Sequence, residues 1–186
     1  SLKVAAAKEC LITLGIKPSR PDTGYGYIQY TDNTINEEFH KVKTFTEKPN
    51  LELAKTFLQS GDFLWNAGIF VWSAKAIIKA FNLYEPEMSE IFAEAKPVYN
   101  TPEERSHINS AYMQCTNISI DYGIMEKAAN VYVLPSEFGW SDLGTWASIY
   151  QLADKDDDGN AVIPAERVIL YDSSNCMVSV PSEKLV

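Results

Sequence analysis

Near its N-terminus the chain carries a short, nearly continuous apolar run, Cys10-Leu11-Ile12-Thr13-Leu14-Gly15-Ile16. It is far shorter than the ~18 residues of a membrane span. It also lacks the strict alternation of a strand with one wet face. A run of this kind suits a strand buried on both faces, as in a parallel sheet. Such a strand needs neighbours and covering helices, which restricts the chain to an α/β arrangement.

The rest of the sequence supplies both. Asn50 is a plausible helix cap, with Leu51, Ala54, Phe57 and Leu58 on one face and Gly61 as a stop. Ser73 can cap a second helix with Ala76, Ile77, Ala80, Phe81 and Tyr84 inward, and Met88, Ile91, Phe92 and Ala95 suggest a third. Ile108, Ala111, Tyr112 and Cys115 keep helical spacing in a fourth. Ser119 can cap a fifth with Ile120, Ile124 and Ala128 in line, and Trp146, Ile149, Tyr150 and Ala153 make a sixth. Strand candidates are 26–30, 42–47, 69–72 and 131–134, rich in β-branched and aromatic residues. Residues 168–171 and 176–180 flank a turn-rich tetrad and read as an antiparallel pair. Neither end closes off a fold of its own, so the chain reads as part of a larger protein.

Composition excludes several classes. With 186 residues the chain can bury roughly 70% of its unfolded surface, so it needs no disulfide staples. Sixteen Lys and Arg against twenty-five Asp and Glu give a net charge of −9, which disfavours nucleic-acid and anionic-membrane surfaces. The three cysteines (Cys10, Cys115, Cys176) are widely spaced and only two histidines are present, so neither a disulfide framework nor a zinc cage is expected. No secretory leader is legible, and the expected location is the cytoplasm.

Five motifs could carry chemistry. Pro18-Ser19-Arg20-Pro21-Asp22-Thr23-Gly24-Tyr25-Gly26-Tyr27 follows the buried strand, where open α/β sheets place ligands. Its glycines allow either a positive φ or a close approach of backbone to ligand. Glu47-Lys48-Pro49 ends a strand with opposite charges that a bend could turn toward one rim. Glu can accept from sugar hydroxyls and Lys can meet a phosphate. In Phe63-Leu64-Trp65-Asn66-Ala67-Gly68-Ile69-Phe70 a buried amide must be paired, as structural glue or as a ligand contact. Asp142, between Trp140 and Trp146, is either a helix N-cap or one oxygen ligand of Mg²⁺. Asp154-Lys155-Asp156-Asp157-Asp158-Gly159 opens like a calcium loop, but Ala165 stands where that loop needs Glu, so a solvated acidic turn is expected.

Together and in this order, these motifs and Ser119-Ile120-Asp121-Tyr122 resemble the sugar-nucleotide pyrophosphorylase family, above all its mannose-1-phosphate guanylyltransferase branch. The resemblance covers nearly the whole chain. It implies part of a nucleotidyltransferase Rossmann-like mixed-sheet domain: residues 1–153 as its sugar-phosphate-binding half, and residues 154–186 as a linker and the start of a C-terminal β-domain. It also implies a reaction, transfer of GMP from GTP to mannose 1-phosphate with Mg²⁺. By the same resemblance Asp142 matches a metal-ligand aspartate and, with Lys48, the catalytic set. Glu47 matches the holder of the sugar hydroxyls, and Lys48 the contact to the sugar phosphate. Asn66 and the backbone of Gly24, Tyr25 and Gly26 would line the sugar pocket, and Asp121 joins them without a defined role. The family's Gly-rich triphosphate loop and second metal-binding Asp have no counterpart here, so the chain alone is expected to be inactive. The expected partners are mannose 1-phosphate and GTP, with no nucleic acid and no membrane. A homodimer is allowed for, although nothing in the sequence sets the oligomeric state. A glucose-1-phosphate nucleotidyltransferase and a non-catalytic sugar-phosphate-binding module remain as alternatives.

Overall fold

The computed structural model describes residues 1–163 and 168–181, which fall into two compact units, Ser1–Phe138 and Gly139–Val186. In the first unit the apolar run forms β1 (Leu11–Ile16). Leu11 and Ile12 are both fully buried, on opposite faces. Leu11 packs into a core with Ile28, Phe45, Leu64, Ile124 and Val133, whereas Ile12 packs with Val4, Ala5, Cys10 and Phe39. Burial on both faces is thus as the sequence predicts.

The sheet around it is mixed, with antiparallel pairing dominant. β1 runs parallel to β5 (Val131–Pro135) and antiparallel to β4 (Phe63–Val71). β2 (Tyr27–Ile35) pairs antiparallel with β3 (Phe39–Thr46) and with β4, and β3 pairs antiparallel with β5. The five strands close into a barrel in the order β1-β4-β2-β3-β5. The aromatic segment from Phe63 is strand throughout, so β4 begins six residues before the expected 69. A run buried on one side and helix-covered on the other hides the alternation that would have marked it.

The helices follow their caps. In α1 (Leu2–Lys8) Val4 and Ala5 are buried. In α2 (Leu51–Ser60) Asn50 Oδ1 accepts from Leu53 N at 2.9 Å, and Gly61 at φ 77° ends the helix. Phe57 stacks on Phe63 of β4 with ring centres 4.0 Å apart. Ser73 Oγ accepts from Ala76 N at the start of α3 (Ala74–Tyr84). α4 (Pro86–Glu94) and α5 (Glu104–Gln114) follow. Two expectations fail here. Tyr112, placed inward by spacing, is 67% exposed. The expected fifth helix is a single π-helical turn, Asp121–Met125, whose Glu126 N bonds back to Asp121 O at 2.9 Å.

The second unit contains α6 (Trp146–Leu152), β6 (Ala161–Ile163) and β7 (Met177–Ser179). Its strands are parallel, with Ala161 opposite Met177. The antiparallel pair expected from 168–171 and 176–180 is therefore absent: residues 168–170 are not strand, and 177–179 pair with β6 instead. Buried Asn160 explains the rearrangement. Its Oδ1 accepts from Cys176 N at 3.0 Å and its Nδ2 donates to Ser173 O at 2.9 Å, tying the chain before β7 to the chain before β6. The acidic turn serves the same clamp, since Asp156 accepts from Asp158 N, Asn160 N and Asn160 Nδ2. These bonds hold the Asp156 carboxyl below the usual aspartate range. Ala165, which decided against the calcium loop, lies outside the described residues. Trp146, the first residue of the expected sixth helix, is 68% exposed.

Candidate active site

The motif residues of the first unit converge where β1, β3 and β4 meet the loop before β2. Asn66 lies opposite Gly15 in the pairing of β4 with β1, beside a shift in register. Its backbone N donates to Gly26 O at 2.8 Å. Tyr25 O accepts from Lys48 N at 3.2 Å. The loop backbone therefore holds both the Asn66 strand and the Glu47-Lys48 bend.

The chain does bend at this strand end, as the sequence allowed. Lys48 adopts φ 47°, so the chain leaves β3 sharply instead of continuing its alternation. The two side chains pair, with Lys48 Nζ 2.5 Å from Glu47 Oε1. The carboxylate is the buried partner, at 7% side-chain exposure, and the ammonium the exposed one. The hydrogen bond that Lys48 donates to Glu47 raises the Lys48 pKa first; burial opposes it, and the charges of Glu47, Tyr122 and Asp121 add to the rise. A raised lysine value means the pair is complete below the unfolded lysine pKa of about 10.4 and is lost only as pH climbs through the higher folded value. A pH titration of the chain should therefore leave this pair intact from neutrality to about pH 9. Melting curves that change through that window because of Lys48→Met would contradict it.

Glu47 Oε2 is buried and has no hydrogen-bond partner among the described residues. Leaving such an oxygen unpaired costs about 1–3 kcal/mol, so its neighbourhood is informative. A Cβ placed on Gly26 would stand 2.4 Å from it, 3.3 Å from Asn66 Cβ and 3.4 Å from Phe45 Cε1. Gly26 has no positive φ. Of the two uses the sequence allowed, a positive φ does not apply at Gly26, and the close approach seen there is to the Glu47 side chain. Gly24 N donates to Asp22 Oδ1 at 2.9 Å, which shapes the same loop.

Asn66 is 8% exposed and is both glue and candidate contact. Its Oδ1 accepts from Thr13 Oγ1 at 2.8 Å and from Gly68 N at 3.2 Å, and its Nδ2 donates to Asp121 Oδ1 at 3.0 Å. Asp121 thus acquires a place: at the start of the π-helical turn, it fixes the Asn66 amide.

Sequence reasoning missed several participants. Thr13 is a fully buried hydroxyl inside the apolar run, and its being the one polar side chain there was the available signal. Glu126 Oε1 accepts from Glu47 N at 3.1 Å. Arg20 lies 5.2 Å from the Trp65 ring and 5.7 Å from the Tyr25 ring, with its ion pair to Asp22 at 2.8 Å. Tyr25 meets Trp65 edge-on at 5.1 Å. Arg20 also donates to Tyr25 Oη at 3.3 Å, so the loop side chains pack on one another and on Trp65.

Asp142 belongs to the second unit. It is not the cap of α6, because Thr145 Oγ1 accepts from Ser148 N at 3.2 Å and Ser148 Oγ answers Thr145 N in a capping box. Its carboxylate is consequently not committed to capping. No group of three or more His, Cys, Asp or Glu side chains is arranged for a metal among the described residues. A single free carboxylate fits the Mg²⁺ habit of one or two protein carboxylates plus substrate phosphates, and no more than that.

A cavity of about 750 Å³ lies elsewhere, among α3, α4 and α5, lined in part by Phe81, Met88, Phe92, Tyr99 and Tyr112. It contains none of the motif residues. The motif cluster is the better candidate, because it holds the unpaired buried carboxylate oxygen and the paired cation. No helix among the described residues is long and apolar enough to cross a membrane.

Comparison with known proteins settles the family. The model of the nucleotidyl transferase family matches residues 1–159. The chain belongs to the nucleotidyl transferase family. Among curated relatives, the mannose-1-phosphate guanylyltransferase of Escherichia coli is 33% identical over 95% of this chain and 40% of its own length. That of Sinorhizobium fredii is 37% identical over 86% of this chain and 31% of its own. The alginate biosynthesis protein AlgA of Pseudomonas fluorescens is 34% identical over 94% and 36%. The chain thus spans about 40% or less of the length of these relatives. A crystal structure described as mannose-1-phosphate geranyltransferase from Thermus thermophilus superposes with a TM-score of 0.79, at 28% identity, over 96% of this chain and 50% of that one. The α/β mixed-sheet nucleotidyltransferase fold expected from the motifs is therefore the observed one.

Proposed function

We propose that this nucleotidyl transferase chain is the sugar-phosphate half of a mannose-1-phosphate guanylyltransferase. In the complete protein a phosphate oxygen of α-D-mannose 1-phosphate attacks the α-phosphorus of GTP. The new P–O bond forms as the bond to pyrophosphate breaks, giving GDP-mannose. The observation that carries this reading is Glu47 Oε2, a buried carboxylate oxygen without a partner among the described residues, closely approached by Gly26, which also lies against Asn66. An unpaired buried acceptor beside an amide matches a hydroxyl-bearing ligand.

In this reading Glu47 accepts from sugar hydroxyls, and the backbone of Gly24, Tyr25 and Gly26 lines the pocket with Asn66. Lys48 uses one of its three N–H donors on Glu47 and turns another to the sugar phosphate. Asp142 would be the residue to hold Mg²⁺ in the complete protein, and that ion would supply charge neutralisation for the phosphate oxygens. What the chain's own residues supply is positioning and a local cation in an acidic protein.

Calorimetric titration with mannose 1-phosphate tests the binding half, and turnover of GTP and mannose 1-phosphate by the complete protein tests the reaction. Glu47→Gln should weaken mannose 1-phosphate binding by roughly tenfold or more, the scale of one hydrogen bond to a charged group. Lys48→Ala should mainly raise the apparent KM for mannose 1-phosphate, and an unaltered KM would remove Lys48 from the site. Turnover of glucose 1-phosphate in preference to mannose 1-phosphate would reassign the sugar.

A further inference from the structure

Thr13 has no role in the reading above, yet its hydroxyl is fully buried inside an otherwise apolar strand. Burying a hydroxyl is unfavourable unless it is paired, and among the described residues its partner is Asn66 Oδ1 at 2.8 Å. The direction of that bond follows from the neighbours. Gly68 N can only donate, and it reaches Asn66 Oδ1 at 3.2 Å. The Asp121 carboxylate can only accept when ionised, and it meets Asn66 Nδ2 at 3.0 Å. The amide orientation is therefore fixed from both ends, and the Thr13 hydroxyl must donate.

The inventory of Asn66 is then nearly exhausted. Both lone pairs of Oδ1 are used, by Thr13 and Gly68, and one Nδ2 hydrogen is used by Asp121. What remains is one N–H. Glu47 Oε2 remains as an acceptor. We propose that Thr13 is a positioning residue: with Asp121 it locks the Asn66 amide so that Asn66 presents only a donor, complementary to the acceptor Glu47. Such a donor and acceptor recognise two hydroxyls in opposite senses, one accepting from Asn66 and one donating to Glu47. That is the chemistry of a vicinal diol on a sugar phosphate. The proposal deepens the functional reading above and rests on it for the identity of the ligand.

The test compares wild type with Thr13→Val, which keeps the branched shape and removes the hydroxyl, and Thr13→Ser, which restores it. Two readouts are taken on the 186-residue chain: hydrogen exchange of the Asn66 side-chain amide by NMR, and calorimetric affinity for mannose 1-phosphate and for inorganic phosphate. Thr13→Val should speed amide exchange and weaken mannose 1-phosphate binding roughly tenfold, the scale of one lost hydrogen bond. Inorganic phosphate binding should stay unchanged, and Thr13→Ser should recover both losses. Unchanged amide exchange in Thr13→Val overturns the lock, whatever the sugar result. Faster exchange without loss of mannose 1-phosphate affinity, or with equal loss for inorganic phosphate, overturns the positioning role. A wild-type chain that binds no sugar phosphate overturns the functional reading instead, while amide exchange still decides the lock.

Discussion

Gly26→Ala weakens mannose 1-phosphate binding by roughly 10- to 100-fold and leaves the fold in place. The argument is geometric. The added Cβ would lie 2.4 Å from Glu47 Oε2, a distance that real structures do not tolerate, and 3.3 Å from Asn66 Cβ. Asn66 is held through Thr13, Asp121 and its own backbone bond to Gly26, so it can give only slightly. Glu47 Oε2 is the free end of a flexible side chain, so it is the atom that moves. It has no hydrogen bond of its own to lose, and the Lys48 ammonium paired with the other carboxylate oxygen is exposed and can follow it. Gly26 does not occupy the left-handed region, so alanine meets no backbone strain there. The cost therefore falls on the site, as the loss of about one hydrogen bond to a charged group, ~1.5–3 kcal/mol. Calorimetry and a thermal melt on the same preparation separate the two effects. Affinity within twofold of wild type would mean that Glu47 does not hold the sugar. A collapse of the melting temperature would mean that Gly26 is a packing residue instead.

The sequence was most informative where one residue type answers to one physical demand. The run around Leu11 and Ile12 declared burial on both faces, and Asn50 and Ser73 declared the starts of α2 and α3. Glu47-Lys48-Pro49 only allowed a bend that turns both charges toward one rim, because the positive φ at Lys48 could not be read. What stayed hidden depends on partners distant in the chain. The antiparallel dominance of the sheet follows from β4 inserting between β1 and β2, a choice that local pattern does not encode. Asn160 rewired the C-terminal strands through bonds to Cys176 and Ser173 that no spacing rule anticipates. Thr13, Asn66 and Asp121 come from three separate segments, and only the fold joins them. At Asp142 the sequence left a cap and a metal ligand equally open, and Thr145 removed the first by taking the cap itself.

Asp142→Asn tests what remains of that choice, and in the complete protein it should lower turnover by ~10²-fold or more, the scale of removing one charge-stabilising element from a phosphoryl-transfer site. Asparagine keeps the size and one acceptor oxygen of the side chain. It is also as good an N-cap as aspartate, so even an unforeseen capping role would survive the exchange. The stability of α6 should not change in any case, because Thr145 and Ser148 supply its capping box. What the substitution removes is the negative charge, and a hard dication binds a carboxylate far better than a neutral amide. The expected signature is thus a fall in kcat with a raised Mg²⁺ requirement, an unchanged melting curve, and unchanged mannose 1-phosphate affinity measured without metal. A variant with wild-type rate and wild-type Mg²⁺ dependence would take Asp142 out of the metal site. A variant that melts early would show that its carboxylate serves the fold of the second unit.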